Sequence, residues 1–180
     1  LDWWISDQWE TYMPRKGNNK GFASYARKYT NLKDGYIVRY ADDFKIMCRT
    51  YPEAQMYYHA VVDFLNNRLG LEISPEKSKV TNLKKNSSDF LGFKIKAVPQ
   101  GKSKYGYVAK TDMCEKAVKK SKANLRQKIL EIQNHTNAEE VKKYNSAVTG
   151  IQNYYRIATN VYNNLTEVDY ALLRTRNNRL

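Results

Sequence analysis

Two adjacent aspartates, Asp42 and Asp43, stand inside "RYADDF" (Arg39 to Phe44), in a chain that carries 31 Lys and Arg against 18 Asp and Glu. Adjacent carboxylates offer hard oxygen donors, the kind Mg²⁺ takes when it bridges a protein to a phosphate. Chemistry on a pair of such ions, one activating a hydroxyl and the other stabilising a leaving oxygen, needs at least one further carboxylate. Asp is also at home in turns, where its side chain bonds neighbouring amides, and spacing alone favours that plainer use. Other reactive residues are sparse. Cys48, Cys114, His59 and His135 lie at spacings that fit neither a disulfide framework nor a zinc site, so both cysteines are read as reduced thiols.

The aspartates need an element to hold them, and the flanking residues supply one. "GYIVRY" and "FKIMCRT" are β-prone runs separated by Ala41, Asp42 and Asp43, the length of a hairpin connection. Tyr36, Val38 and Tyr40 share a face of the first strand, and Phe44, Ile46 and Cys48 share a face of the second. Thr50 with Glu53 predicts a capping box, and Ala54, Tyr57, Val61 and Leu65 an apolar stripe on a helix ended by Gly70. "LEIS" and "SKVTNL" read as short strands around Pro75. "SDFLGFKIKAV" and "KYGYVAK" read as one hairpin through Pro99-Gln100-Gly101. Upstream, "LDWWISDQW" has helical spacing and residues 13 to 34 read as a loop.

From about Asp112 the pattern turns helical. Val118, Leu125, Ile129 and Ile132 form one stripe, and a second capping box (Thr136, Glu139) opens a helix stepping through Val141, Tyr144, Val148, Ile151, Tyr155 and Ala158. A third helix is predicted after Thr166, with Val168, Leu172 and Leu173 inward. The expected fold class is α+β: a partial antiparallel sheet backed by helices over residues 1–110, then an all-α three-helix unit over 111–180.

At 180 residues and 42% hydrophobic, the chain can bury a core, and no run is long and apolar enough for a membrane span. Its formal charge is +13, with 17 Lys and Arg against 7 Asp and Glu in residues 94–180. Such an excess points to a polyanion, nucleic acid before a membrane surface, because lysines that neutralise phosphates release counterions.

The "YADD" of Tyr40 to Asp43, in a hairpin, resembles the signature of reverse transcriptases, and "RYADDF" is most similar to those encoded by group II introns. "LEISPEKSKV" (Leu71 to Val80) and "SDFLGFKI" (Ser88 to Ile95) resemble the next two blocks of that family, the second being its primer-grip hairpin. "GIQNYYRIA" (Gly150 to Ala158) resembles the Gly-x-x-x-Tyr-Tyr-x-x-Ala stretch of the maturase thumb, or X domain. "LDWWI" looks like the end of the block before the catalytic hairpin.

The resemblance implies a palm sheet over 1–110, a thumb over 111–180, and RNA-directed DNA polymerase activity with Mg²⁺, or Mn²⁺ in its place. Asp42 and Asp43 would be the catalytic and metal-binding residues, with Tyr40 and Ala41 beneath the primer end and nucleotide. Lys77 and Lys79 lie where the family places basic residues near the triphosphate, and which of them acts stays open. Leu91 and Gly92 would form the primer grip, with Phe90 and Phe93 in the core. Tyr155 is expected in the core and Tyr154 toward RNA or the template duplex. Implied partners are intron RNA, an RNA template with its DNA primer, and dNTPs.

The family's fingers, its first catalytic Asp and its Pro-Gln-Gly block have no counterpart here, and Asp2 does not match that Asp. The chain is therefore expected to start within a larger protein, to lack activity alone, and to pair with an N-terminal fingers-palm piece of the same polypeptide, with a homodimer open as a further association. The expected location is the bacterial cytoplasm, or an organelle. Competing readings are a catalytically silent RNA-binding splicing cofactor of the same fold and a retron or defence-type reverse transcriptase.

Overall fold

The computed structural model describes residues 1, 2, 5, 35–104 and 106–179. Apart from Leu1, Asp2 and Ile5, the expected opening helix and the loop of residues 13 to 34 lie outside them. The chain divides into two compact units, Leu1–Val80 and Thr81–Leu180. Among the described residues, antiparallel sheets accompanied by four α-helices make an α+β fold, as the residue patterns require.

In the first unit, β1 (Gly35–Tyr40) pairs antiparallel with β2 (Asp43–Cys48). Tyr40 is opposite Asp43, so the connection is the two residues Ala41 and Asp42 rather than three, and Asp43 belongs to the strand. The register sorts the two faces. Tyr36, Val38 and Tyr40 stand with Met47, Lys45 and Asp43, whereas Gly35, Ile37 and Arg39 stand with Cys48, Ile46 and Phe44. Helix α1 (Tyr51–Asp63) covers the second of these faces, for Gly35 is buried and a side chain there would run into the Tyr57 ring.

The predicted capping box opens α1: the Glu53 amide donates to Thr50 Oγ1 (3.4 Å) and the Thr50 amide to Glu53 Oε2 (3.1 Å). The helix widens to a π turn over Phe64–Arg68, and Gly70 leaves it at φ 62°, the left-handed stop that glycine permits. "LEIS" and "SKVTNL" are not strands. The Ser74 carbonyl accepts from the Lys77 and Ser78 amides, closing a turn at Pro75, and Asn82 closes a second turn through the amides of Lys84, Lys85 and Asn86. Tight hydrogen-bonded turns thus follow Ser74 and Asn82 at the ends of the two runs.

In the second unit, β3 (Ser88–Phe90), β4 (Phe93–Pro99) and β5 (Tyr107–Met113) form a meander. The one hairpin read from sequence is therefore two, the first closed by Leu91 and Gly92. Three helices follow: α2 (Glu115–Asn134), α3 (Ala138–Tyr155) and α4 (Val161–Arg179). Val118, Leu125 and Ile129 of α2 pack with Met113, Cys114, Val168 and Leu172, and Ile132 is buried as well. Asn137, not Thr136, caps α3, accepting from the Glu140 amide at 2.9 Å. Thr136 instead donates back to the Ile132 carbonyl. Asn is the stronger cap, and the start of the helix moves by one residue without a reciprocal box, since the Asn137 amide donates to the His135 carbonyl.

Helix α4 begins ahead of its predicted start because tertiary bonds hold its first turn. The Asn160 amide donates to the Thr111 carbonyl (3.2 Å), and Asn164 Oδ1 accepts from the Met113 amide (2.9 Å). Thr159 adds three bonds to Thr111. The outer edge of β5 is thereby covered by the loop and first turn after α3.

Candidate active site

The β1–β2 tip presents Asp42 and Asp43 in the open. Both are exposed, and Tyr40, opposite Asp43, is 67% exposed. With Tyr36 and Val38, Tyr40 makes an aromatic face turned away from α1. A two-residue loop joins right-twisted strands without splaying them when its residues adopt positive φ, and Ala41 does so at φ 51°. For a residue with a Cβ this conformation costs about 1–2 kcal/mol. Arg39 holds it: Nη1 donates to the Ala41 carbonyl at 2.8 Å, while Nε bonds the Asp2 carboxylate at 2.9 and 2.7 Å. Asp2 is thus engaged with a guanidinium and not with the aspartate pair.

Two exposed carboxylates on a fixed turn are the donor chemistry a Mg²⁺-class ion takes. Among the described residues, no third His, Cys, Asp or Glu joins them in a cluster that could close a metal site. Cys48 lies on the α1 side of the hairpin. Burial, then the nearby Glu53 carboxylate, pushes its thiol up to about 11, so it stays protonated at neutral pH and is a poor ligand. Both cysteines are free. Lys77 lies in the Pro75 turn and Lys79 just beyond it, both exposed.

The second turn that the sequence singled out is held more tightly. Leu91 (φ 50°) and Gly92 (φ 80°) both take positive φ, the pattern of a type I′ hairpin. Tyr154 Oη donates to the Leu91 carbonyl at 2.9 Å, and the Cys114 amide donates to the Gly92 carbonyl at 2.8 Å. A Cβ on residue 92 would lie 2.7 Å from Tyr155 Oη. Phe93 stacks on Tyr154 (5.6 Å, 23°) and meets Tyr155 at 5.1 Å. Burial, with Tyr154 and Cys114 beside it, raises the Tyr155 hydroxyl above its ordinary range, so it remains a neutral donor. The Tyr-Tyr pair of α3 and the Leu-Gly pair of the β3–β4 turn therefore meet.

Residues 18–95, which include both turns, match the profile described as reverse transcriptase (RNA-dependent DNA polymerase). The resemblance to reverse transcriptases is borne out. Over 186 residues the chain is also 26% identical to a Saccharomyces cerevisiae protein assigned to intron 2 of COX1/OXI3, covering 89% of this chain and 20% of that protein. The chain thus spans about a fifth of the length of the curated relative it matches. A reverse-transcriptase profile and an intron-protein relative together support the likeness to group II intron reverse transcriptases and maturases that the motifs carried. Members of the reverse transcriptase family use divalent metal ions and act on nucleic acid.

Sequence reasoning missed the bonds by which Arg39 and Tyr154 hold the two turns. Arg39 sits inside the motif, but nothing in one sequence says that its guanidinium turns back to a carbonyl two residues on. Tyr154 was signalled by its motif, yet its partner lies 63 residues away.

Proposed function

We propose that this chain forms part of an RNA-directed DNA polymerase encoded by a group II intron, which also binds intron RNA as a maturase during splicing and mobility. Residues 1–110 act as palm and 111–180 as a helical thumb. The observation that carries the reading is the "YADD" hairpin, with both aspartates exposed at a strained turn beside an open aromatic face, inside the segment that matches the reverse transcriptase profile.

In this reading Asp42 and Asp43 hold Mg²⁺, or Mn²⁺ in its place, as negatively charged oxygen donors. Bound there, the metal would supply charge neutralisation at the reacting phosphate. Arg39 keeps the turn in one conformation, so the carboxylates are not free to wander with the loop. Tyr40 and Ala41 form the floor under the primer end and the incoming dNTP, Lys77 or Lys79 faces the triphosphate, and Leu91 with Gly92 supports the primer. Two carboxylates fall short of a two-ion site, and we assign the remaining donor to another segment of the full-length protein. Partners are then the intron RNA, an RNA template with its DNA primer, and the fingers-palm segment of the same protein. The protein's place is the bacterial cytoplasm or an organelle.

The test is Asp42→Ala in the full-length protein, assayed for primer extension and for RNA affinity. Loss of a metal ligand should cut extension by more than about a hundred-fold, while RNA affinity stays within about three-fold. Unchanged extension would sink the metal-ligand role, and parallel loss of RNA binding would instead point to a misfolded protein or to a purely RNA-binding one.

A further inference from the structure

We propose that Tyr154 is the positioning residue of the Leu91–Gly92 turn, so that the last turn of α3 sets where the primer is held. The inference rests on the reading of that turn as a primer grip. It departs from the expectation that Tyr154 reaches toward nucleic acid, because its hydroxyl is already committed to a backbone carbonyl of the protein.

Three observations converge. First, Leu91 is one of two non-glycine residues at positive φ among the described residues, and a leucine held there relaxes unless something fixes the peptide. The group that fixes it is the Tyr154 hydroxyl, which donates to the carbonyl of that same residue. Second, the Tyr154 ring is itself oriented: it stacks on Phe93, the residue immediately after the turn, and packs edge-on against Tyr155 at 4.8 Å. The hydroxyl is thus aimed by rings and not left to a free rotor. Third, Tyr155 leaves no room for a side chain at Gly92, and the Cys114 amide takes the Gly92 carbonyl. Every movement of the turn is consequently read by α3 or by the start of α2. Tyr154 remains 53% exposed, so removing its hydroxyl leaves no buried donor or acceptor stranded, and the effect of such a change reports on the turn.

The experiment uses the full-length protein with an RNA template annealed to a DNA primer and the matching dNTP. It reads the single-turnover extension rate, the affinity for the duplex and the melting temperature. Tyr154→Phe keeps the ring and deletes the hydroxyl. The expected result is a rate lowered roughly five- to thirty-fold, with duplex affinity within about two-fold and melting within a few degrees. In a Leu91→Gly background, where positive φ needs no external hold, the same change should alter the rate by less than about two-fold.

An unchanged rate in Tyr154→Phe overturns the proposal. So does a rate loss matched by an equal loss of duplex affinity, which would make Tyr154 a nucleic-acid contact. An effect of full size in the Leu91→Gly background, or failure to fold that Leu91→Gly does not relieve, assigns Tyr154 to general packing and overturns it as well. Absence of extension by the unsubstituted protein bears instead on the function proposed above. In that case hydrogen exchange at the Gly92 and Phe93 amides reads the turn directly, and unaltered exchange in Tyr154→Phe overturns the hold.

Discussion

At Ala41 and at Leu91 the chain bends through the left-handed region without glycine, and at both a side chain donates to the carbonyl of the bent residue. Arg39 does this from two residues away and Tyr154 from 63 away, so the first device is local and the second depends on the fold. If the bend at Ala41 is strain held in place, Ala41→Gly should leave folding stability unchanged or raise it by up to about 1 kcal/mol, since relief of the Cβ clash offsets the freedom glycine gains when unfolded. Ala41→Val should lower it by about 1–3 kcal/mol. Denaturant midpoints of the two variants decide this, and an Ala41→Gly protein clearly weaker than its parent would contradict it. The hairpin around the aspartate pair was legible because two β-prone runs flank a short connection, whereas spacing alone favoured a plain turn and the metal-binding expectation came from the resemblance. The hold on the turn was not legible, because a guanidinium's direction is set by three-dimensional neighbours such as Asp2.

Elements were readable where one periodicity ruled. The stripe of α2 buried Val118, Leu125, Ile129 and Ile132 together, and the Thr50–Glu53 box opened α1 where two side chains of the right type stand three apart. They were misread where a long-range bond or a competing turn decided. "LEIS" and "SKVTNL" have strand-forming composition, but Ser74 and Asn82 close turns beside them. Helix α4 starts early because Asn160 and Asn164 are tied to β5, which no local signal announces. The hairpin and α1 meet where Gly35 lies beneath the Tyr57 ring. Gly35→Ala should force that ring aside and destabilise the protein by about 1–3 kcal/mol, read by urea or thermal unfolding. A loss of only a few tenths would mean that Tyr57 moves freely and that the packing of α1 does not depend on it.

For the whole molecule, charge is the feature most directly legible and least directly structural. The net of +13 lies mostly in residues 94–180, on a unit whose apolar groups are spent on a core between β5 and three helices. If six of those cations contact phosphates, the logarithm of RNA affinity should fall with the logarithm of salt concentration at a slope near −5, as about 0.9 or less is lost per contact. A slope near zero in a filter-binding or fluorescence titration would remove nucleic acid as the reason for the charge. The covered edge of β5 has a consequence in time. Its amides at Thr111 and Met113 are bonded by residues made 48 to 51 positions later. At roughly 5–20 residues per second, a ribosome takes about 2–10 s to synthesise that span. During those seconds the nascent sheet carries a bare edge, so the loop after α3 closes off strand exchange between neighbouring chains on a polysome only after its own synthesis is done.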